Sequence, residues 1–163
     1  MTIAVNTRTV AEFRNLRFSS VDECVAEVQR ILAAAEEGRL NSCGNWTPGQ
    51  IMAHVAAWIN YGYDGFPIGR PPLIVRWFLR LRLKKLLRDG MSRGVRIPGV
   101  KGGTVGMEEL DTSVAAQRLL QALRRLQSEE AVFDSPAFGA MSMEDRIALN
   151  LRHAELHLGF ITY

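Results

Sequence analysis

Reactive side chains are scarce in this chain. Its 163 residues include two cysteines, three histidines and three tryptophans. Two cysteines, Cys24 and Cys43, are too few for a disulfide framework, and without an export signal they are expected as free thiols. No apolar run approaches the roughly 18–20 residues of a membrane span, so no transmembrane segment is expected. The opening MTIAVNTRTVAEFRN lacks a basic region followed by an apolar one, which predicts a cytoplasmic address. Repeats and low-complexity tracts are missing as well. Charged residues at 23% and hydrophobic residues at 47% exclude disorder and predict one domain over residues 1–163.

What the sequence does have is an uneven charge distribution. Ten of its twenty basic residues fall between Arg70 and Lys101, opposed only by Asp89. That segment carries a net +9 and the rest of the chain −6. An acidic body with a basic insert needs an explanation.

Helix punctuation is frequent, whereas strand signals are poor. Ser20-Val-Asp-Glu23 is a capping box that opens a helix to about Glu37, with Gly38 as its stop. Thr47-Pro48-Gly49-Gln50 opens a second, to about Gly62, with proline at a position where its missing N–H costs nothing. A third is predicted over Asp111 to Ser128, with Val114, Leu119, Leu120, Leu123 and Leu126 inward. Ser142-Met-Glu-Asp145 starts a fourth that runs almost to the C-terminus. Pro71-Pro72 introduces one more helical stretch, and the six glycines of Gly90–Gly106 predict an extended loop. The expected fold is all-α, a four-helix bundle with an insertion at about 70–106 between its second and third helices.

The histidines repay attention because there are so few. His153 and His157 stand four residues apart, about 40° on a helical wheel, within the apolar arc of the last helix. His54 lies among Ile51, Ala57, Trp58 and Tyr61 on the inner arc of the second helix. A single inward histidine is most often a satisfied core residue. Burying three imidazoles costs free energy unless their nitrogens find partners, and one shared divalent metal would satisfy all three.

Two segments carry a family likeness. Asn45–Trp58, NWTPGQIMAHVAAW, and Leu151–Gly159, LRHAELHLG, resemble the second-helix and last-helix signatures of the DinB-like superfamily. The likeness runs from about Ser20 to Phe160, and the Gly159-Phe160 ending resembles a branch of unknown function. The resemblance implies that His54, His153 and His157 bind a divalent metal, commonly zinc or nickel, inside a four-helix bundle. It also implies a metal-dependent transferase or hydrolase, because relatives include enzymes that act with a low-molecular-weight thiol. The basic insert departs from the commonest pattern of that superfamily.

Three neutral imidazoles leave a coordination position open, as in catalytic zinc sites. A metal held there can bring bound water towards a pKa of about 7 or bind a thiolate. No catalytic general base is identifiable. Glu155 lies about 160° from His157, so the pair is not a metalloprotease motif, and this carboxylate is expected in solvent. Trp46, Trp58 and Tyr61 are expected to line the pocket, and Asn150 to hydrogen-bond a ligand imidazole.

The alternative function is a non-enzymatic module built on the basic insert, which suits a protein partner or a membrane surface. Phosphate backbones suit its charge too, but nucleic acid is not the expected partner. Trp77, Phe78 and Leu81 are expected to pack against the bundle or across a homodimer, with the arginines and lysines in water.

Overall fold

The computed structural model describes residues 4–163. Over these residues the chain is all-α, with five helices and a short two-stranded ribbon. Helix α1 spans Val21–Glu36. Ser20 Oγ accepts from the Glu23 amide at 3.2 Å, while Glu23 reaches back to the Ser19 amide at 2.7 Å. The helix ends in a left-handed Gly38, φ +68°, so that Gly38 and Arg39 donate to the carbonyls of Ala35 and Ala34.

Helix α2, Pro48–Asp64, has the reciprocal box its sequence predicts: Thr47 Oγ1 accepts from the Gln50 amide and Gln50 Oε1 from the Thr47 amide. Helix α3 spans Leu73–Asp89, α4 Thr112–Ser128 and α5 Met143–Leu158. Strand β1, Asn41–Ser42, pairs antiparallel with β2, Ile161–Thr162, and so ties the α1–α2 connection to the C-terminus.

Packing follows the apolar stripes. α4 lies on α1 and α2, α5 lies on the same two, and α3 rests on the outside of α5. Ile31, Ile51, Met52, Leu119, Leu123, Leu126, Leu158 and Ile161 fill the core between these helices. Val114, expected inward, is exposed instead. It stands nine residues before Leu123, about 180° away on a helix, and the α4 core stripe is centred on Leu119 and Leu123.

The α3 expectation also needs correction. Trp77, Phe78 and Leu81 are exposed, and Leu83 is the one fully buried residue of the helix. Helical phase explains it: Leu79, Leu83 and Leu86 form the seam against the body, and Trp77 and Leu81 fall on the far side. Polar ties fix this phase. Lys84 pairs with Asp145 at 2.9 Å, Arg80 donates to the carbonyls of Phe138 and Ala140, and Arg152 of α5 donates to the Leu87 carbonyl.

Candidate metal centre

α2 brings one histidine and α5 two to one point between them. The ligating atoms of His54, His153 and His157 all lie within 4.8 Å of one another. Their ring centroids are 4.4 Å apart for His54 and His157, 4.5 Å for the α5 pair and 5.0 Å for His54 and His153. The i, i+4 spacing on α5 creates that pair, and the phase of α2 set by the Thr47 box delivers His54 opposite it.

The hydrogen bonds around the cluster decide which nitrogens are available. His54 Nδ1 sits 2.9 Å from the Val105 carbonyl oxygen. A carbonyl only accepts, so Nδ1 carries the proton and Nε2 of the neutral ring carries the lone pair. The same carbonyl accepts from Trp58 Nε1 at 3.3 Å. Val105 reaches this position because its neighbour Gly106, φ +76°, lets the loop press onto α2. A Cβ at Gly106 would lie 2.8 Å from the Ala57 methyl and 2.9 Å from the Tyr61 hydroxyl. His153 Nδ1 is buried and has no hydrogen-bond partner among the described residues. An orphaned buried ring nitrogen beside two other imidazoles fits a metal-ligand set.

Electrostatics favours the ligand form of all three rings. Burial pulls the His54 pKa down to about 4, against a smaller opposing effect of the Val105 hydrogen bond. Burial also holds His153 and His157 well below the ordinary histidine range, and the neighbouring imidazoles add to the depression. Neutral imidazole is the form that binds metals.

Aromatic side chains shape the surroundings. Trp46 stacks on His157 at 5.6 Å with the rings 7° from parallel, and Trp58 sits 5.4 Å from His153. Both line a cavity of about 1540 Å³ that also takes in the three histidines. Its walls are largely apolar, with Ile51, Phe66, Val75, Leu79, Leu86 and Phe138 among them. Tyr61, in contrast, packs on Trp58 and Phe66 and lines a separate hollow of about 590 Å³. Asn150 lines the main cavity, but its amide donates to the Arg146 carbonyl of its own helix at 3.0 Å rather than to an imidazole. The partner role expected of Asn150 belongs, for His54, to the backbone of Val105. Sequence reasoning overlooked it because a carbonyl has no signature; the glycines of the loop were the available hint.

Glu155 is not in solvent. Only 6% exposed, it accepts from the Phe18 amide at 2.6 Å and from Arg152 at 2.5 Å, on the side of α5 away from the histidines. Burial raises its pKa. A second buried carboxylate, Glu27, binds Arg14 at 2.6 Å and Arg30 at 2.8 Å. Both hold the fold together. Cys24 and Cys43 are free, buried thiols outside the cluster, and burial pushes Cys24 up to about 12, which removes it as a nucleophile.

A family model described as a protein of unknown function (DUF1569) matches residues 10–163. The chain belongs to the DUF1569 family. No curated protein and no solved structure matches it. The family description assigns no activity, so the chemistry of this DUF1569 chain is argued from its own residues.

Proposed function

We propose that this DUF1569 chain binds one divalent metal ion, zinc or nickel, through His54, His153 and His157, and uses it in a transferase or hydrolase reaction. The observation that carries the reading is the convergence of three neutral imidazoles, one oriented by the Val105 carbonyl and one with an unpartnered buried nitrogen. The ring of contacts among α1, α2, α4 and α5 supports a four-helix bundle of the DinB-like kind, with α3 as an addition. A bound metal would supply Lewis acidity, which activates water or a thiol. The protein contributes an apolar cavity beside the three histidines and the aromatic walls of Trp46 and Trp58. Metal analysis of untagged protein tests the reading. One equivalent of metal, lost in His153→Ala, is expected. Equal metal content in the two proteins would overturn it. In the cobalt-loaded protein, a sulfur-to-cobalt charge-transfer band on adding a small thiol would favour the transferase branch.

One observation favours a second reading, a surface-binding role for α3. Leu73, Ile74, Trp77, Phe78 and Leu81 are between 55% and 79% exposed on one helix that also carries six basic residues and one acidic one. A twofold dimer through this helix would set its basic residues against their own copies. An anionic bilayer satisfies both the apolar side chains and the charge. Flotation of the full chain with vesicles of neutral or part-anionic lipid tests it. Retention on anionic vesicles, lost at high salt and in Trp77→Ser/Phe78→Ser, is expected. A dimer that this double variant dissociates, with no vesicle binding, would replace the bilayer by a second copy.

A further inference from the structure

The cavity of about 1540 Å³ extends well beyond the three histidines. Among the described residues, four arginines, Arg8, Arg70, Arg96 and Arg146, contribute to its lining, and no aspartate or glutamate does. An apolar cavity with cationic groups and no carboxylate selects an anion attached to an apolar body. One of these arginines has a defined relation to the histidines. On α5, Arg146, Leu149, Asn150, His153, Leu156 and His157 all face the cavity. Arg146 stands seven residues before His153, two turns earlier on nearly the same line of the helix and about 10 Å along its axis. The wall of α5 thus reads cation, apolar and amide surface, then imidazoles. The Arg146 guanidinium is committed only weakly, through two contacts of 3.3 Å to the Phe133 carbonyl oxygen. A guanidinium held by one carbonyl retains donors for a carboxylate, sulfonate or phosphate.

We infer that the site takes an elongated amphipathic anion laid along α5, its acidic group on Arg146 and its reactive end two helical turns further on at the three histidines. This rests on the reading of the histidine cluster for the reactive end, but not for the anion. The apolar body lies over Leu149 and against Leu79 and Leu86 of α3, which line the same cavity. Arg146 is therefore a specificity-determining residue. It discriminates between molecules of equal apolar size by their charge.

Calorimetric titration of the chelator-treated full chain with decanesulfonate, decanol and decyltrimethylammonium tests the inference. A sulfonate is a poor metal ligand, so its binding reads the arginine and not the histidines. Decanesulfonate should bind at least about tenfold more tightly than decanol, and the cation not measurably, since a hydrogen bond to a charged group is worth that factor or more. Arg146→Met should abolish the preference while leaving decanol affinity and the melting temperature unchanged, and Arg146→Lys should restore part of it. His153→Ala should keep the preference intact, because the anion sits at the other end. Equal affinity for sulfonate and alcohol in the wild type, or a preference that survives in Arg146→Met, would overturn the inference. Metal binding without sulfonate preference refutes this inference alone; sulfonate preference without metal binding refutes the metal reading alone.

Discussion

A histidine within a protein core is costly when charged and useful when neutral, and this chain places all three of its histidines on that balance. Burial brings His54 to about 4, whereas an unfolded histidine titrates at about 6.5. Between these values the unfolded chain takes up more protons than the folded one. Stability of the metal-free protein is therefore full above about pH 6.5 and declines as pH falls towards 4. His153 and His157 act in the same direction, and the raised Glu155 in the opposite one at acid pH. Urea midpoints at pH 7.5 and pH 5 will read the slope; equal midpoints would mean that the imidazoles are more solvated than the fold implies. Gly106→Ala probes the orientation of His54. It places a methyl against Ala57 and Tyr61 at a positive φ. A loss of about 1 kcal/mol in stability and about 10–100-fold in metal affinity is expected, because the Val105 carbonyl is displaced.

Each element is held by polar contacts as well as by its stripe. Arg152 and Glu155, 2.5 Å apart and both nearly buried, connect α5 to the Phe18 backbone ahead of α1 and to the end of α3. Removing Glu155 leaves the Arg152 charge buried without its counter-charge. Glu155→Ala is expected to cost about 3–5 kcal/mol by chemical denaturation, and Glu155→Leu/Arg152→Met to recover much of that loss. A cost under about 1 kcal/mol for the single variant would show that water reaches Arg152. The two-residue ribbon and the cap of α1 are smaller devices of the same kind. They set where α1 starts and tie the α1–α2 connection to the chain after α5.

For the whole molecule, a metal held at the three histidines would be coupled to the fold by mass action. Metal at a hundred times its dissociation constant stabilises the native state by about 2.7 kcal/mol, equivalent to about 5–10 °C in melting temperature for a chain of this length. Calorimetry before and after dialysis against a chelator should show that difference in the wild type and none in His153→Ala. The charge distribution acts on the same scale. The +9 of Arg70–Lys101 and the −6 elsewhere are separated in the fold as in the sequence, because α3 rests on the outside of α5 with few acidic partners. Lys84 on Asp145 is one of the few contacts that bridge the two.

The sequence by itself determined the helices and the histidine faces. Caps at Ser20, Thr47 and Ser142 act over three residues, and the 3.6-residue period places His153 beside His157, so both are local facts. Local rules also yielded the basic character of the insert. They could not phase α3, because Leu, Trp and Phe occur around the whole helix and only contact with α5 selects Leu79, Leu83 and Leu86 as the seam. Nor could they bury Glu155 and Glu27, whose partners Phe18, Arg14 and Tyr163 are distant or backbone groups. The Val105 carbonyl meets His54 across 51 residues of chain. Spacing along a helix is written in the sequence, but which loop closes over it depends on the packing of the whole.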